Sequence, residues 1–342
     1  MPEGEGTRRG INVAFVGCGA FARGMHIPNM AKNDRYNLYA ACDIVKENAK
    51  QVSEEYNMKY FTGDYREVLD DEDVDLVVVT TRHNEHARLT IEAANAGKHV
   101  LCEKPMGLSE RECRDVVKAV KANGVKYTVG YNRGMAPLVT KARDLIEPLD
   151  KKKLMYHRIQ APFPEDHWTH DPEVGGGRFV GEGCHIFDLF CELVGKPPVS
   201  VYASGGIFLN PGKVRIPDSG IVTIAFEDGS VAATLIASDG CASFAKEATE
   251  IYCDGKAIHI DNFREMKYYG FDPEKKEQVL TLDETDKGQA VEIDRLADAI
   301  LNDTEPPNGI VNAARAAVIS FYVDESIQTG KAIPVSIEDY VF

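Results

Sequence analysis

The chain has 342 residues, 44% hydrophobic and 27% charged, with 29 Gly, 16 Pro and no biased tract; this supports about two domains with full cores and excludes fibrous and disordered classes. Its 39 Lys and Arg stand against 54 Asp and Glu, a formal net charge of −15, so most of the surface repels nucleic acid and anionic membranes, and any anionic ligand needs a local site. Eight cysteines (Cys18, Cys42, Cys102, Cys113, Cys184, Cys191, Cys241, Cys253) are scattered without a CxxC pair, which indicates neither a disulfide framework nor a zinc ribbon and points to reduced thiols in a cytoplasm.

Residues 1–10 read as a disordered leader. Arg8 and Arg9 before the apolar stretch 11–22 imitate an export signal, but cleavage there would remove the Gly-rich turn described below. Neither that stretch nor any later one reaches the ~20 apolar residues of a membrane span. Ile11 to Val16 is a β-branched and aromatic run ending at Gly17. A helix-compatible stretch over 20–32 and a second strand, Leu38 to Cys42, complete one βαβ unit. There follow a helix over 44–57, a short strand near Lys59 to Phe61, a helix over 64–70 and the run Val74 to Val79, whose near-continuous Val and Leu mark a strand buried on both faces. A helix from Asn84 to Ala96 stops at Gly97 and leads to the strand His99 to Cys102. Ser109 to Glu112 fits a capping box, with Cys113, Val116, Val117 and Val120 at helical spacing behind it, and Val125 to Val129 is a sixth strand. Six strands with helical crossovers make a doubly wound parallel α/β domain, assigned to residues 11–132.

The remainder, 133–342, changes character. Asp228-Gly229 and Asp254-Gly255 each separate strand-like runs, a strong hairpin signal, and argue for an antiparallel sheet over about 199–282. Ile293, Leu296, Ala297 and Ile300 mark a helix broken by Pro306-Pro307, and 311–329 is a second apolar helix ending before Gly330. These last helices are placed to pack back on the first domain.

Gly17-Cys18-Gly19-Ala20-Phe21-Ala22 is a GxGxxA motif directly after the first strand and opening the first helix. A pyrophosphate needs a tight turn at Gly17, close backbone approach at Gly19, and the N–H groups and positive dipole end of a helix at Ala20 and Phe21. Asp43, ending the second strand, has the place of the carboxylate that accepts the ribose hydroxyls of NAD and repels the 2′-phosphate of NADP, and Ile44-Val45 beyond it brings no Arg to pair a phosphate. NAD is therefore preferred over NADP; the competing reading is a Gly-rich turn that holds no nucleotide. Thr80 to His86 after the fourth strand and Glu103-Lys104-Pro105 after the fifth lie at carboxyl ends of parallel strands, where open α/β sheets bind ligands.

Together with Gly97-Lys98-His99-Val100, Gly130-Tyr131-Asn132-Arg133 and the run from Gly175 to Asp188, these motifs resemble the glucose-fructose oxidoreductase / inositol dehydrogenase / rhizopine-catabolism (Gfo/Idh/MocA) family, in its order and over nearly the whole chain. The resemblance implies a Rossmann domain followed by an α+β domain with a large, mostly antiparallel open sheet whose exposed face joins copies into a homodimer or homotetramer. It implies that Lys104 contacts both the nicotinamide ribose and the substrate hydroxyl, that Lys104-Pro105 is cis, and that His185 is the second catalytic group. Such a pair suits the chemistry, because oxidising a secondary alcohol requires a base for the hydroxyl proton as hydride leaves the carbon.

Thr80, Thr81, His83, His86, Glu103 and Asn132 join the cofactor edge, His83 and His86 with plain helix histidines as the alternative. Arg133, Trp168, Arg178 and Arg158 are candidate substrate binders, Arg133 against a structural ion pair and Trp168 as a sugar platform against ordinary packing. One position departs from the family pattern. Where many members carry an Asp four residues before the His, this chain has Gly181, and a carboxylate appears instead at Glu182, able to share the helix face of His185 or to serve the helix start. Cys184 and His185, as neighbours, point to opposite sides of a helix and make no thiol nucleophile, and no residues cluster at metal spacing. The resulting expectation is an NAD-dependent oxidoreductase moving a hydride between a secondary hydroxyl of a sugar, inositol or glycoside and nicotinamide, with no nucleic-acid or membrane partner. Two alternatives stand beside it: a redox-assisted glycoside lyase or hydrolase that recycles NAD, and a non-catalytic nucleotide-binding protein.

Overall fold

The computed structural model describes residues 10–341, so the leader assigned to residues 1–10 lies outside it but for Gly10. Six parallel strands, β1 (Ile11–Val16), β2 (Tyr36–Cys42), β3 (Tyr60–Thr62), β4 (Leu76–Val79), β5 (His99–Cys102) and β6 (Tyr127–Val129), form one sheet in the order β3-β2-β1-β4-β5-β6. This is the order of two mononucleotide-binding halves meeting at a switch point between β1 and β4, where a crevice opens at the carboxyl ends. Every residue of β1 and β4 is buried, as expected of strands covered by helices on both faces. The crossovers are α1 (Ile27–Ala31, entered through a single π-helical turn, Ala22–His26), α2 (Lys46–Glu55), α3 (Tyr65–Asp70), α4 (His83–Asn95) and α5 (Glu110–Asn123). Asp64 caps α3 by accepting from Arg66 N–H, and Ser109 caps α5 by accepting from Glu112 N–H. The expected box at α5 is not reciprocal: the Glu112 carboxylate takes the Leu108 N–H at 2.6 Å, one residue before the cap.

After α6 (Pro137–Ile146) the chain enters a sheet of nine strands: β7 (Leu154–Gln160), β8 (Pro198–Gly206), β9 (Ser219–Phe226), β10 (Val231–Ala237), β11 (Glu247–Cys253), β12 (Lys256–Asp261), β13 (Glu265–Tyr269), β14 (Gln278–Thr281) and β15 (Ile333–Pro334). Their order is β14-β13-β12-β11-β7-β10-β9-β8-β15, antiparallel throughout except for the β7–β10 pair. Both Asp-Gly hairpins are present, at β9–β10 and β11–β12. Asp254 and Gly255 take φ of 51° and 71°, the left-handed pair that a two-residue loop matched to strand twist requires. The central strand β7 escaped the sequence reading because His157, Arg158 and Gln160 interrupt its apolar alternation.

One face of this sheet packs on α7 (Cys184–Val194) and α9 (Ile310–Thr329), joining Ile186, Phe187, Phe190, Ala317 and Val318 to Val222, Ile224 and Phe226 in one core. That core continues into Val77, Val100 and Val129 of the parallel sheet. Ile293, Leu296 and Ala297 of α8 (Gln289–Asn302) pack with Val13, Phe15 and Val78 on its other face, so both C-terminal helices do return to the first half.

Candidate active site

The turn after β1 has the shape of a pyrophosphate cradle. Gly17 sits at φ 93°, and a Cβ there would stand 2.7 Å from the Thr80 carbonyl oxygen. Thr80 locks the turn by donating from Oγ1 to Gly17 O at 2.5 Å. At Gly19 a Cβ would meet nothing within 4 Å, which leaves the backbone open to close approach, with Ala20 and Phe21 exposed at the helix start. Asp43 stiffens the same turn: Oδ2 accepts from Cys18 N–H at 2.7 Å and Oδ1 from Val45 N–H at 2.8 Å. Each carboxylate oxygen keeps a further lone pair for a ribose hydroxyl. Ile44 beside it, 96% exposed, is an apolar edge suited to an adenine ring. A glycine that tolerates no side chain, an open glycine and an acid at the end of β2 are what NAD requires, and the residues fit it.

Beyond the cradle, Lys104 stands two residues after β5 and is joined to Pro105 by a cis peptide bond. Its Nζ donates to Gly181 O at 3.0 Å and lies 3.6 Å from Glu182 Oε2. Residues Phe179–Gly183 form a π-helical turn that runs into α7, so Glu182 and His185 stand on the side facing Lys104. Glu182 is ringed by cations: Lys246 at 3.1 Å, and Lys104 and Arg133 each at 3.6 Å. Burial pushes its carboxyl up, but Lys104, Lys246, Arg178 and Arg133 outweigh that and hold it well below the usual range. His185 is driven the other way by burial first and by Arg133 and Lys104 next, well below an ordinary imidazole. It is therefore a neutral ring, with Nδ1 buried and unpartnered. A neutral imidazole beside a lysine and an ionised acid can take a proton from a hydroxyl.

The remaining candidates divide by position. Arg133 is buried in a two-pronged ion pair, Nε to Glu247 Oε2 at 2.7 Å and Nη2 to Glu247 Oε1 at 3.1 Å. Glu247 also takes Lys287 and lies 3.6 Å from His157 Nε2. Asn132 donates to Lys287 O at 2.7 Å, which spends its amide nitrogen on the segment before α8. Glu103 is buried against His26 Nε2 at 2.7 Å and accepts from Lys104 N–H at 3.1 Å. His83 donates from Nδ1 to Gly175 O, 2.7 Å away, and its ring meets Trp168 edge-on at 4.6 Å. Burial, His86 and Lys104 push its imidazole down to about 2. His86 sits behind it with ring nitrogens on Pro105 O and Thr81 O, tying the two strand ends together. Trp168 carries the Arg82 guanidinium 4.3 Å over its ring. Arg178 is buried, its guanidinium stacked 4.3 Å over Phe163.

Arg158 is not brought to this cluster. On β7 it pairs with Ala248, whereas its neighbour Ile159 pairs with Glu247, so Arg158 points to the opposite face of the sheet, donating to Ala245 O at 2.6 Å. Lys246, Glu247, Lys287 and His26 were missed in the sequence, since no motif or spacing joins 26 to 103 or 133 to 247. The one available signal was the Lys246-Glu247 pair at the head of a strand-like run.

Residues 11–131 match the oxidoreductase family with an NAD-binding Rossmann fold, and residues 153–259 match the C-terminal domain of the same Gfo/Idh/MocA family. The chain is 27% identical to the uncharacterized oxidoreductase YrbE of Bacillus subtilis, over 96% of this chain and 97% of that protein. It is 26% identical to myo-inositol 2-dehydrogenase of Thermotoga maritima, over 75% and 76% of the two chains. Among solved structures it resembles levoglucosan dehydrogenase in complex with NADH and levoglucosan, with a TM-score of 0.86 at 19% identity, covering 96% of this chain and 100% of that one. The cradle, the Glu-Lys-Pro segment, the second sheet and both matches agree: the chain belongs to the Gfo/Idh/MocA family of NAD-binding oxidoreductases.

Proposed function

We propose that the protein is a dehydrogenase acting on a secondary hydroxyl of a sugar, cyclitol or glycoside. The observation that carries this reading is the convergence of partly exposed Lys104 and Glu182 with buried, neutral His185 in one cluster, Lys104 bridging the end of β5 to Gly181 and Glu182. NAD, when bound, supplies the acceptor for the carbinol hydride. Lys104 donates to and orients the substrate hydroxyl, Glu182 fixes the ammonium, and the His185 ring receives the hydroxyl proton. Relatives that act on inositol, and a structural neighbour complexed with levoglucosan, support the polyol class. Residues 11–132 serve as the cofactor part and 133–342 as the substrate and assembly part. Leu154, Tyr202, Ile221, Val231 and Tyr252 are all exposed, and their register puts them on one face of the nine-stranded sheet. Such an apolar face is fit to join a second copy of the chain. All eight cysteines are free thiols, which supports a reducing, cytoplasmic setting.

The test is reduced-nicotinamide absorbance on mixing with NAD and a panel of sugars and cyclitols, with Lys104→Met beside the wild type. Turnover that drops at least ~1000-fold in Lys104→Met, with NADH binding retained, is expected. Substrate consumption without net reduced nicotinamide would favour the cofactor-recycling lyase, and an active Lys104→Met would overturn the assignment.

A further inference from the structure

The cleft around Glu182 carries more positive than negative charge. Lys104, Arg133, Arg178, Lys246 and Lys287 surround only Glu182 and Glu247, or three acids if Glu103 behind Lys104 is included. In a chain of net charge −15, such a local excess is a feature built against the global field.

Two of those arginines are buried to the same degree and are used differently. Arg133 grips the Glu247 carboxylate with Nε and Nη2, the side-on fork that matches the two oxygens of a planar carboxylate. In Arg178, which is 4% exposed, the same two nitrogens are buried without any partner. A desolvated guanidinium left unpaired is costly, and the usual remedy is an anion in the fork. Arg178 stands one turn before Glu182 at the head of the helix that carries His185, and it weighs on the Glu182 carboxylate more than Arg133 does. Phe163 covers one face of its guanidinium, and His167 and His170 lie within reach of its charge. The fork thus lies beside the reacting cluster under the 161–177 loop, which must part to admit a ligand.

We infer that the substrate is an acid: a sugar, cyclitol or glycoside bearing a carboxylate that the Nε/Nη2 fork of Arg178 takes up while its secondary hydroxyl lies at Lys104 and His185. This rests on the dehydrogenase reading above and narrows it. Lys246, half exposed and paired with Glu182, adds to the attraction on entry, whereas the buried fork sets the selection. A site built to pair a substrate charge discriminates strongly against the analogue lacking it, because the buried group is then left unmatched.

The experiment uses the full chain with NAD and substrate pairs that differ only in the carboxylate, D-glucuronate against D-glucose and D-galacturonate against D-galactose, with glucose 6-phosphate as a separate anionic arm. In the wild type the acid of at least one pair is expected to exceed its neutral partner in kcat/KM by roughly 100-fold or more. In Arg178→Gln that ratio is expected to collapse to within about tenfold, mainly through KM, and Arg178→Lys to recover part of it, because a lysine supplies charge without the fork. NADH affinity and melting temperature report whether each variant is folded, and if Arg178→Gln is not, the comparison is made on Arg178→Lys, where a ratio equal to wild type refutes the fork. Neutral sugars turned over as well as their acids, or glucose 6-phosphate preferred to both uronates, overturns the inference and leaves the dehydrogenase reading standing. No turnover of either member of any pair overturns the inference, and the dehydrogenase reading falls with it only if the wider panel of sugars and cyclitols also yields no reduced nicotinamide.

Discussion

Gly181 occupies the position where the family resemblance leads one to expect an aspartate, and the structure gives the reason for its absence. A Cβ on residue 181 would stand 2.9 Å from His83 Cε1 and 3.5 Å from its Nδ1. The ring cannot swing away cheaply, because Nδ1 is bonded to Gly175 O at 2.7 Å and the ring packs edge-on with Trp168 at 4.6 Å. Gly181→Ala must therefore push His83 out of a packed site, at about 1–3 kcal/mol for overpacking, plus about 1 kcal/mol for the strained or broken hydrogen bond. A loss of roughly 2–4 kcal/mol corresponds to a fall of roughly 3–6 °C in melting temperature, because an unfolding entropy of about 2.1 cal/mol/K per residue gives about 1.4 °C per kcal/mol for a chain of this size. The assay is thermal and urea unfolding of Gly181→Ala, His83→Ala and the double variant. In the His83→Ala background the steric conflict is gone, and Ala for Gly in a helical turn is expected to be neutral or to stabilise by up to about 1 kcal/mol. The sign of the Gly181→Ala effect should thus reverse between backgrounds. A stabilising Gly181→Ala in the wild type, or effects that simply add, would refute the claim that His83 occupies the side-chain space of residue 181.

Three further outcomes follow from the same geometry. Asp43→Ala removes the acceptor for Cys18 and Val45 N–H, so the NADH dissociation constant measured by fluorescence titration should rise about 10–100-fold while that for NADPH changes less. Glu247→Gln removes the charge that Arg133 and Lys287 share, leaving Arg133 only the more distant Glu182 at 3.6 Å; the expected loss is about 3–5 kcal/mol in urea unfolding, and an unchanged midpoint would contradict it. His185 must be neutral to accept a proton, and its pKa in the folded protein lies well below 6.5, first because it is buried. As pH falls from 8 through 6.5 the ring therefore stays unprotonated, and kcat/KM for substrate oxidation should show no acid limb centred near 6.5. An inflection at that pH that vanishes in His185→Gln would show the ring to be an ordinary titrating histidine.

What was legible in the sequence was whatever is local. The GxGxxA turn, Asp43 at a strand end, the Val and Leu runs and the Asp-Gly hairpins each encode their structure within a few residues, and all appear where the pattern placed them. The central strand β7 was not legible, because His157 and Gln160 are polar residues made tolerable inside only by distant partners: Thr249 bonds His157 at 2.8 Å, and Gln160 reaches the carbonyls of Cys241 and Phe244. The site divides the same way. Lys104 and His185 announce themselves by motif, whereas the Arg133–Glu247 pair spans 114 residues of chain and depends on how β6 is set against β11. A charge pair between a helical turn following one sheet and a strand of the other has no period to read.

The two π-helical turns among the described residues bear on how those sheets are joined. Each inserts extra width into a helix start, a distortion found mostly where function requires a side chain or carbonyl to be re-aimed. The first, Ala22–His26, ends on His26, whose ring meets Glu103. The second, Phe179–Gly183, presents Gly181 O and Glu182 to Lys104. Glu103 and Lys104 are consecutive, so both distorted turns converge on one dipeptide at the end of β5, one from the helix that opens the cofactor cradle and the other from the helix that carries His185. The backbone of Lys104 also donates back to Glu103, which closes a continuous polar path from the cradle helix to the catalytic helix. Regularising the second turn would move Glu182 relative to Lys104 without altering any residue that touches substrate. Deleting one residue from the Phe179–Gly183 turn should therefore depress kcat while leaving NADH affinity at its wild-type value, and equal losses in both would show that the turn only holds the fold together.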